Sequence, residues 1–527
     1  MFERILAMAK ATTEPDSDIG STPWSYEQFE KQLRAEVLIL GRLLCELFVS
    51  SARDGLGKQQ GKPPGRVRRR QFKGFFGPVT YWREGRYGHF SLDYLLGIAK
   101  GGFSHSVCLL ACNLATRMSF AVSAKVFERF AGWSPDPVSI ENMVMGIGPE
   151  ASSYMEQSAP KKDPAKRQVL VIEIDGKAPP MATEQELKKR SASAKLKAAK
   201  AKAKASGKTS KNKTSTGKEC RCCQRHRSKA IRRRVRKKKQ AAKAKGGMQQ
   251  KDPQDPKTKN GRSATLVVTY VLEEGPDGLL HGPKDKRMWA DFGPRVNMMQ
   301  WAKEEARRRG FDPRSRDIHL VMDGEKCLRD GMSERFPNAT IALDIRHAEE
   351  HLHALSKLIH SSPEHREAFV ENYRTMLYEG EARKMTEELQ GVIDDANKQK
   401  KKDGLDPDDG EYEELEKEIA YFANRLDMMD YGKLKKKDLV IASGQVEGAA
   451  RHLVGERMDC GGMRWKVERG RMILHLRCIE LNGDWDKFDS WLSKKNHTHL
   501  AHGKVVRLTS TKPPPMPLSP TESSQAA

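Results

Sequence analysis

Three acidic residues stand where carboxylates could act together on a phosphodiester. Asp175 and Asp323 each follow an apolar run that ends at an Asp-Gly pair. Glu447 lies in "VIASGQVEGAARHLVGERM", among small residues that leave room for a large ligand to approach. Converging carboxylates stay ionised only beside a compensating cation, and hard oxygen ligands with open positions suit Mg²⁺ or Mn²⁺. Two such ions, roughly 3.5–4 Å apart, could activate a water or a 3′-hydroxyl and stabilise the leaving oxygen.

Each of these acids also has an ordinary structural explanation. An Asp-Gly pair at a strand end is commonly a turn, and Glu447 is spaced i, i+4 from Arg451, which suits a surface ion pair. Asp344 stands where it would cap the helix that follows it. His347 and His351 share one face of that helix, but a metal site there needs further ligands that the sequence does not identify. A packing or DNA-contact role is the favoured interpretation of the two histidines.

Apolar runs predict the sheet that must position the acids. Residues 169–174 and 318–322 are nearly continuous apolar runs, typical of strands buried on both faces. Between them, "SATLVVTYVLEE" predicts a strong strand, "KRMWADFG" a shorter one, and "MMQWAKEEARRRG" a helix. A further strand ends near Asp344, and a helix follows. The order predicts a mixed α/β sheet with acids at its strand ends, where adjacent strands would bring carboxylates to one crevice.

Upstream of the sheet the sequence predicts a mainly helical region. Residues 24–52 have the spacing of one long amphipathic helix, and "FFGPVTYWREGRYG" alternates as in a short strand or hairpin. Helices are predicted at about 104–117, 119–131 and 138–147. They could form a helix-turn-helix or a plain helical bundle, and the sequence leaves both open. Arginines that could hold phosphates lie just before them: Arg66, Arg68, Arg69 and Arg70.

Downstream, residues 362–438 carry Glu, Lys, Leu and Met at helical spacing without a strand pattern, which predicts an all-helical insertion. The tail at 502–527 is rich in Pro, Ser and Thr and is expected to be disordered. The predicted segments are an N-terminal helical segment 1–60, a DNA-binding region 61–160, an α/β core 165–361 interrupted by a Lys/Arg-rich insertion at 183–262, the helical insertion 362–438, helices carrying the Glu at 439–501, and the tail 502–527.

The basic charge of the chain is concentrated in one segment. Of a net charge of +25, the stretch from Lys188 to Lys245 contributes +24, with 25 Lys and Arg against the single acid Glu219. Such a block binds polyanions through counterion release and reads little sequence. The alternative is a solvated segment that only aids solubility, but so dense a like-charge block favours nucleic-acid contact. Candidate contacts in its densest part are Arg232, Arg233, Arg234, Lys237 and Lys238.

Several other classes of protein are disfavoured by the sequence. No run approaches 18 apolar residues and the start lacks a signal-peptide core, so a cytoplasmic protein is expected. Nine irregularly spaced cysteines indicate reduced thiols. P-loop and GxGxxG patterns are absent, which disfavours an ATPase. The group Cys220, Cys222, Cys223 and His226 departs from paired zinc-ligand spacing, and whether it binds zinc stays open.

The order of several segments resembles one transposase family. These segments are "FFGPVTYWREGRYG", the helical region from "LDYLLGIAKGGF" onward, "VIEIDG", "IHLVMDGEKCLRD", "LDIRHAEEHL" and, most specifically, "ASGQVEGAARHLVGERMDCGGMRW" with the basic helix after it. Together they resemble the ISKra-type insertion-sequence transposases, DDE enzymes related to the Mutator-like group. The resemblance implies an RNase H-like α/β core flanked by helices, with an all-helical insertion and a helical N-terminal domain.

The resemblance also implies residue roles. Asp175, Asp323 and Glu447 would form the catalytic triad and hold two Mg²⁺ or Mn²⁺ ions. Asp344 and His347 match a "D..H" pattern and would support the site or handle DNA. Contacts to DNA ends, through phosphate pairing and stacking, would come from Arg464 and Trp465.

The implied reaction is cleavage at the ends of an insertion sequence, followed by attack of the freed 3′-hydroxyl on target DNA. Joining two ends suggests a homodimer or a higher homo-oligomer, associated with the nucleoid. Three alternatives stay open: a metal-dependent nuclease on the same core, a domesticated DNA-binding protein without activity, and an RNA-associated basic protein.

Overall fold

The computed structural model describes residues 26–60, 66–86, 89–98, 101–182, 186, 188, 191–193, 263–402, 412–460 and 463–501. The chain forms two compact units, one containing Met1–Pro160 and Met472–Ala527, the other Lys161–Arg471. The described elements are a mixed α/β set: a five-stranded sheet with many helices, and an N-terminal helix and hairpin. None of the helices in the described ranges combines the length and the apolar character that a membrane span requires.

The first unit begins with a long helix and a three-stranded antiparallel sheet. The helix α1 (Tyr26–Gln60) is followed by β1 (Arg66–Gly74), β2 (Gly77–Arg86), β3 (His89–Phe90) and the short α2 (Ser91–Leu95). The predicted strand or hairpin is therefore a hairpin, joined by a turn in which Gly77 has a φ of 111°. Its inner face packs on α1 and α2 through Val49, Val79, Tyr81 and Leu92.

Three helices follow in the same unit: α3 (His105–Arg117), α4 (Phe120–Ala131) and α5 (Pro137–Gln157). Each begins after a residue whose side chain accepts a hydrogen bond from a backbone N–H of the first turn. The predicted end of the third helix was wrong, because α5 continues past Gly148 and Pro149 to Gln157. Buried side chains along its whole length, from Ile140 to Met155, stabilise the helix beyond these weak formers.

The second unit is built on the five-stranded sheet. Its strands are β4 (Gln168–Lys177), β5 (Ala264–Glu274), β6 (Leu280–Asp291), β7 (Ile318–Met322) and β8 (Thr340–Leu343), in the order β6-β5-β4-β7-β8. β4, β5 and β6 pair antiparallel, whereas β4, β7 and β8 pair parallel. β4 lies at the centre, and its residues from Gln168 to Ile174 are buried.

The helices of the second unit follow the predicted order. Those between and after the strands are α6 (Arg295–Arg309), α7 (Lys326–Arg335) and α8 (Ile345–Ile359). The described part of 362–438 contains helices and no strand. Its helices of at least five residues are α9 (Pro363–Glu379), α10 (Ala382–Lys402), α11 (Glu413–Ala423) and α12 (Tyr431–Lys435).

The segment that carries Glu447 is a short, irregular helix. α13 (Gly444–Ala449) runs into a π-helical turn (Ala450–Gly455) and then α14 (Glu456–Met458). Two longer helices end the described chain, α15 (Val467–Leu481) and α16 (Trp485–Ala501). The compact units divide within α15, between Arg471 and Met472, whereas the sequence suggested one continuous segment over 439–501.

Candidate active site

Three aspartates lie side by side at the C-terminal ends of three parallel strands of the central sheet. Asp175 is near the end of β4, Asp323 directly follows β7, and Asp344 directly follows β8. The strands are parallel neighbours, and the residues just before the three aspartates pair with one another across the sheet. The backbone N–H of Asp344 donates to the carbonyl of Met322 over 2.8 Å, which continues this register beyond β8. The predicted placement of acids at the ends of neighbouring strands is therefore present for these three residues.

Asp175 is a half-buried carboxylate in a field of other acids. Its side chain accepts a hydrogen bond of 2.5 Å from the backbone N–H of Gly176. Burial raises the pKa of Asp175, and the negative charges of Asp323 and Asp344 raise it further, against the opposing effects of that hydrogen bond and His347. A carboxyl in these surroundings gains from a nearby cation.

The backbone around Asp323 is fixed by residues in α11 and just after it. Gly324 has a φ of 73°, a left-handed conformation that suits glycine. The Asp323 side chain accepts from the N–H of Glu325 over 2.9 Å, an Asx-type turn. Tyr421 donates its hydroxyl to the Asp323 carbonyl over 3.2 Å, and Arg425 donates Nε–H to the Gly324 carbonyl over 2.9 Å. Residues about a hundred positions later in the chain thus hold this loop in place.

Asp344 is fully buried and links two elements. Its carboxylate accepts from the N–H of Arg346 over 3.1 Å, so it caps α8 as the sequence predicted. It also accepts from the backbone N–H of Ser443 over 3.1 Å and from the Ser443 hydroxyl over 2.6 Å. With all these donors directed at it, Asp344 serves as an anchor between the sheet and the segment before α13.

Glu447 lies exposed on α13, next to that anchor. The Ser443 hydroxyl is 3.4 Å from its Oε1 atom. Desolvation raises the pKa of Glu447, and the negative charge of Asp344 adds to the effect. A Cβ atom added at Gly444 or Gly448 would meet nothing within 4 Å, so the surroundings are open as the sequence suggested. No ion pair joins Glu447 to Arg451 in the described structure, which disfavours the surface ion pair considered above.

Glu173 is a buried acid of the site that the sequence analysis missed. It is fully buried on β4, on the same face as Asp175 because the two are two residues apart on a strand. It accepts from the hydroxyl of Tyr270 over 2.7 Å and from the backbone N–H of Val446 over 2.7 Å. Burial raises the pKa of Glu173 to about 7, against the opposing effect of these hydrogen bonds. The one feature of the sequence that could have identified Glu173 is that it is a single acid inside the otherwise apolar run 169–174.

The two histidines of α8 have different surroundings. His347 lies 3.2 Å from Glu350, and its positive charge, when protonated, opposes the raised pKa of both Asp175 and Glu447. It is therefore close to the candidate catalytic acids. His351 stacks on Tyr421 with ring centroids 3.5 Å apart, and its Nδ1 lies 2.5 Å from a carboxylate oxygen of Glu418. His351 thus packs α11 against α8.

The donor set suits a hard divalent cation, although the acids are not gathered around one point. Within the described residues, no three or more His, Cys, Asp or Glu side chains lie close enough to hold a metal ion together. Asp175 and Asp323 are adjacent, and their mutual repulsion is what a bound cation would relieve. Carboxylate oxygens are the ligands that Mg²⁺ and Mn²⁺ prefer. Asp175 and Asp323 are the residues whose carboxylates could contact such an ion at this end of the sheet.

The predicted DNA contacts of the hairpin divide into exposed and buried residues. Arg68 and Arg69 are exposed on β1. Arg70 is buried, donates to Asp93 over 2.6 Å and to the Gly101 carbonyl over 2.9 Å. The expectation that Arg70 holds phosphate conflicts with this placement, because its guanidinium is already engaged inside the unit.

The structure also bears on the two DNA contacts predicted downstream of Glu447, Trp465 and Arg464. Trp465 is buried, and its Nε1–H donates to the Met458 carbonyl over 3.1 Å. The guanidinium of Arg457 lies over its ring, 4.8 Å from the centroid, so the stacking on DNA expected of Trp465 does not fit its position. Arg464 is partly exposed and lies 3.4 Å from Glu186. Arg232, Arg233, Arg234, Lys237, Lys238 and the Cys220, Cys222, Cys223 and His226 group lie outside the described residues.

Comparison of the chain with protein-family models finds no matching family, and comparison with curated proteins finds no similar sequence.

Proposed function

We propose that this protein is a DDE-type DNA transposase with an RNase H-like core. The observation that carries the proposal is the side-by-side placement of Asp175 and Asp323 at the ends of parallel strands. Glu447 stands on a helix tied to the same edge through Ser443 and Asp344. The sheet, in which three antiparallel strands are extended by two parallel ones, supports an RNase H-like core.

In the proposed mechanism Asp175 and Asp323 would hold Mg²⁺ or Mn²⁺, and Glu447 would complete the set. Such ions would supply activation of a water or 3′-hydroxyl and stabilisation of the leaving oxygen of the phosphodiester. The protein itself contributes positioning: the Asp323 loop is held by Tyr421 and Arg425. The open face around Glu447 leaves space for a DNA backbone.

DNA would be held mainly by basic residues outside the acid cluster. The segment from Lys188 to Lys245 supplies most of the net charge and would bind donor or target DNA without sequence preference. Arg68, Arg69 and Arg464 are the exposed or partly exposed candidates in the described parts. Cutting and joining two element ends would require two copies of the protein, and the expected location is the nucleoid.

A non-catalytic, transposase-derived DNA-binding protein is the second candidate. The observation that favours it is that the described acids do not form a group of three close enough to hold a metal ion. This protein would bind DNA equally well with and without Mg²⁺. A metal-dependent nuclease on the same core would instead cleave DNA without joining it to a target.

The test uses purified full-length protein, Mg²⁺ or Mn²⁺, a target plasmid and DNA carrying the ends that flank its own gene. Wild type is compared with Asp323→Asn and with the control Asp330→Asn, an exposed aspartate on α7. Cleavage and joining by wild type and the control, but not by Asp323→Asn, supports the transposase. Cleavage without joining supports the nuclease, and binding without cleavage in all three overturns the catalytic proposal.

A further inference from the structure

Glu173 is a buried carboxylate that the proposed reaction does not use. It is fully buried in the central strand β4, and within the described residues it forms no ion pair. Burying a carboxyl group is costly unless hydrogen bonds satisfy its oxygens. Both of its oxygens are engaged, one by the Tyr270 hydroxyl and the other by the Val446 backbone N–H, each at 2.7 Å.

These two contacts join elements that are far apart in the sequence. Tyr270 lies on β5, which pairs with β4, so it orients the Glu173 carboxyl from within the sheet. Val446 lies on α13 and directly precedes Glu447. Glu173 therefore connects the strand that carries Asp175 with the helix that carries Glu447. The connection is the hydrogen bond that Glu173 accepts from Val446, the residue before Glu447.

Most of the other hydrogen bonds of this segment hold the chain ahead of α13, and the one from Lys286 Nζ to the Gln445 side chain on the helix, over 3.2 Å, is exposed. His319 Nε2 lies 2.7 Å from the Val440 carbonyl, and the Ile345 N–H donates to the Ile441 carbonyl over 2.9 Å. Asp344 then holds Ser443. These contacts fix the chain ahead of α13, whereas Glu173 is bonded within the helix itself, one residue from Glu447.

We propose that Glu173 is a positioning residue, which acts as a hydrogen-bond acceptor for α13 and so sets where Glu447 stands relative to Asp175. Its oxygens point to Tyr270 and Val446, so it is not itself a metal ligand. This inference rests on the proposed function, because the position of Glu447 matters only if Glu447 and Asp175 serve one site. Glu173 contributes a hydrogen-bond acceptor at a fixed position for the Val446 N–H.

Two substitutions distinguish whether Glu173 acts as a hydrogen-bond acceptor or through its negative charge. Glu173→Gln keeps an amide oxygen that can accept from Val446, while its NH₂ group can donate to the Tyr270 hydroxyl. Glu173→Met has a similar volume but cannot accept this bond, so the Val446 N–H is left buried and unpaired. Glu273→Met is the matched control, since Glu273 lies at the opposite end of the β4–β5 pair, opposite Gln168.

The first measurement is amide hydrogen exchange of peptides that cover 443–450, in the full chain without metal. We expect exchange in Glu173→Met to be faster by at least about tenfold, and in Glu173→Gln to be within about threefold of wild type. The Glu273→Met control should leave this segment unchanged. Equal exchange in wild type and Glu173→Met overturns the proposal, as does equally fast exchange in the Gln and Met variants.

The second measurement is Mn²⁺ binding, followed by the loss of the free-ion electron paramagnetic resonance signal. Residues that orient metal ligands typically change metal affinity by about 10–100-fold, and we expect a loss in that range for Glu173→Met only. Unchanged Mn²⁺ affinity in that variant would refute the positioning role. If wild type binds no Mn²⁺, the proposed function fails, whereas hydrogen exchange still decides whether Glu173 holds α13.

A second variant keeps the test decisive if Glu173→Met does not fold. Tyr270→Phe removes only the hydroxyl that orients Glu173 and leaves the Val446 bond in place. We expect exchange of the 443–450 peptides to rise by about fivefold in this variant, which exceeds the threefold margin set for Glu173→Gln. No change there, in a variant that is folded by circular dichroism, would contradict the role of Glu173.

Discussion

Ser443 donates two hydrogen bonds to the buried carboxylate of Asp344, from its N–H over 3.1 Å and from its hydroxyl over 2.6 Å. The same hydroxyl oxygen lies 3.4 Å from Glu447. One serine thus stands between the last of the three strand-end aspartates and the only candidate catalytic acid that is carried by a helix. The placement of Glu447 depends on contacts to two strands, β8 through Asp344 and β4 through Glu173.

The Ser443 hydroxyl should matter for metal binding but not for DNA binding. In Ser443→Ala, Asp344 loses one of its donors and the turn before α13 loosens, so we expect Mn²⁺ affinity and DNA cleavage to fall by about 10-fold. DNA affinity at fixed salt should be unchanged. Ser152→Ala, which removes an exposed contact to Glu156 in the first unit, is the control. Full activity of Ser443→Ala would show that the hydroxyl is dispensable.

Glu273 should make stability sensitive to acid. Hydrogen bonds from Lys166, Lys284 and Gln168 lower the pKa of Glu273 to about 2, below its ordinary value of 4.5. Its contribution to the free energy of unfolding is therefore complete above about pH 4.5 and is lost as pH falls towards 2. In urea unfolding, Glu273→Gln should be less stable than wild type at pH 6, and the difference should shrink between pH 4.5 and 2.

The control for that experiment is Glu334→Gln, at an exposed glutamate 3.6 Å from Arg335. It should unfold like wild type at every pH in the range. A stability difference between Glu273→Gln and wild type that stays constant down to pH 2 would contradict the assigned hydrogen bonds.

Two glycines of α5 should respond in opposite ways to alanine. A Cβ atom at Gly148 would lie 2.7 Å from Cβ and 3.1 Å from Cα of Met472, so we expect Gly148→Ala to lower the free energy of unfolding by about 1–3 kcal/mol. A Cβ atom at Gly146 meets nothing within 4 Å, and Gly146→Ala should raise stability by about 0.5–1 kcal/mol. Thermal unfolding of both variants checks the pair, and equal effects would refute the close approach of Met472.

The Lys/Arg-rich segment should set the salt dependence of DNA binding. Replacing residues 194–245 with a Gly/Ser sequence of equal length removes 22 of the basic residues and leaves the described elements of the sheet intact. Since the slope of log affinity against log salt reports the number of phosphates neutralised, we expect it to fall by several units. A slope equal to that of wild type would place DNA binding elsewhere, and Arg68→Ala with Arg69→Ala would then be tested.

The sheet could be predicted because its buried strands are runs of apolar residues that are consecutive in the sequence. β7 has the predicted bounds, Ile318–Met322, since a buried strand is a continuous apolar run. β6 was predicted too short, because its first half is an exposed edge with charged residues such as Lys284 and Lys286. Charged residues are common on edge strands, and a prediction based on apolar residues alone therefore misses that part of the strand.

The parts of the site that could not be predicted depend on partners distant in sequence. Arg70 looked like a phosphate ligand until its pairing with Asp93 was visible, and Trp465 looked like a stacking surface until its burial and its hydrogen bond to the Met458 carbonyl were visible. Glu173 carried no motif, and its role follows only from the approach of Val446. Composition and spacing report what a side chain can do, whereas its tertiary contacts decide whether it is free to do it.

The long connection between β4 and β5 leaves and re-enters the sheet beside the aspartates. Gly176 pairs with Thr265 and Lys177 with Ala264, so residues 178–263 are anchored at both ends close to Asp175. In the proposed function, a polycation joined to the sheet at these two points would hold bound DNA next to the carboxylates, so its contribution would depend on where it is attached as well as on its charge. Moving the same charges to the C-terminus would keep the net charge of +25 but lose this proximity.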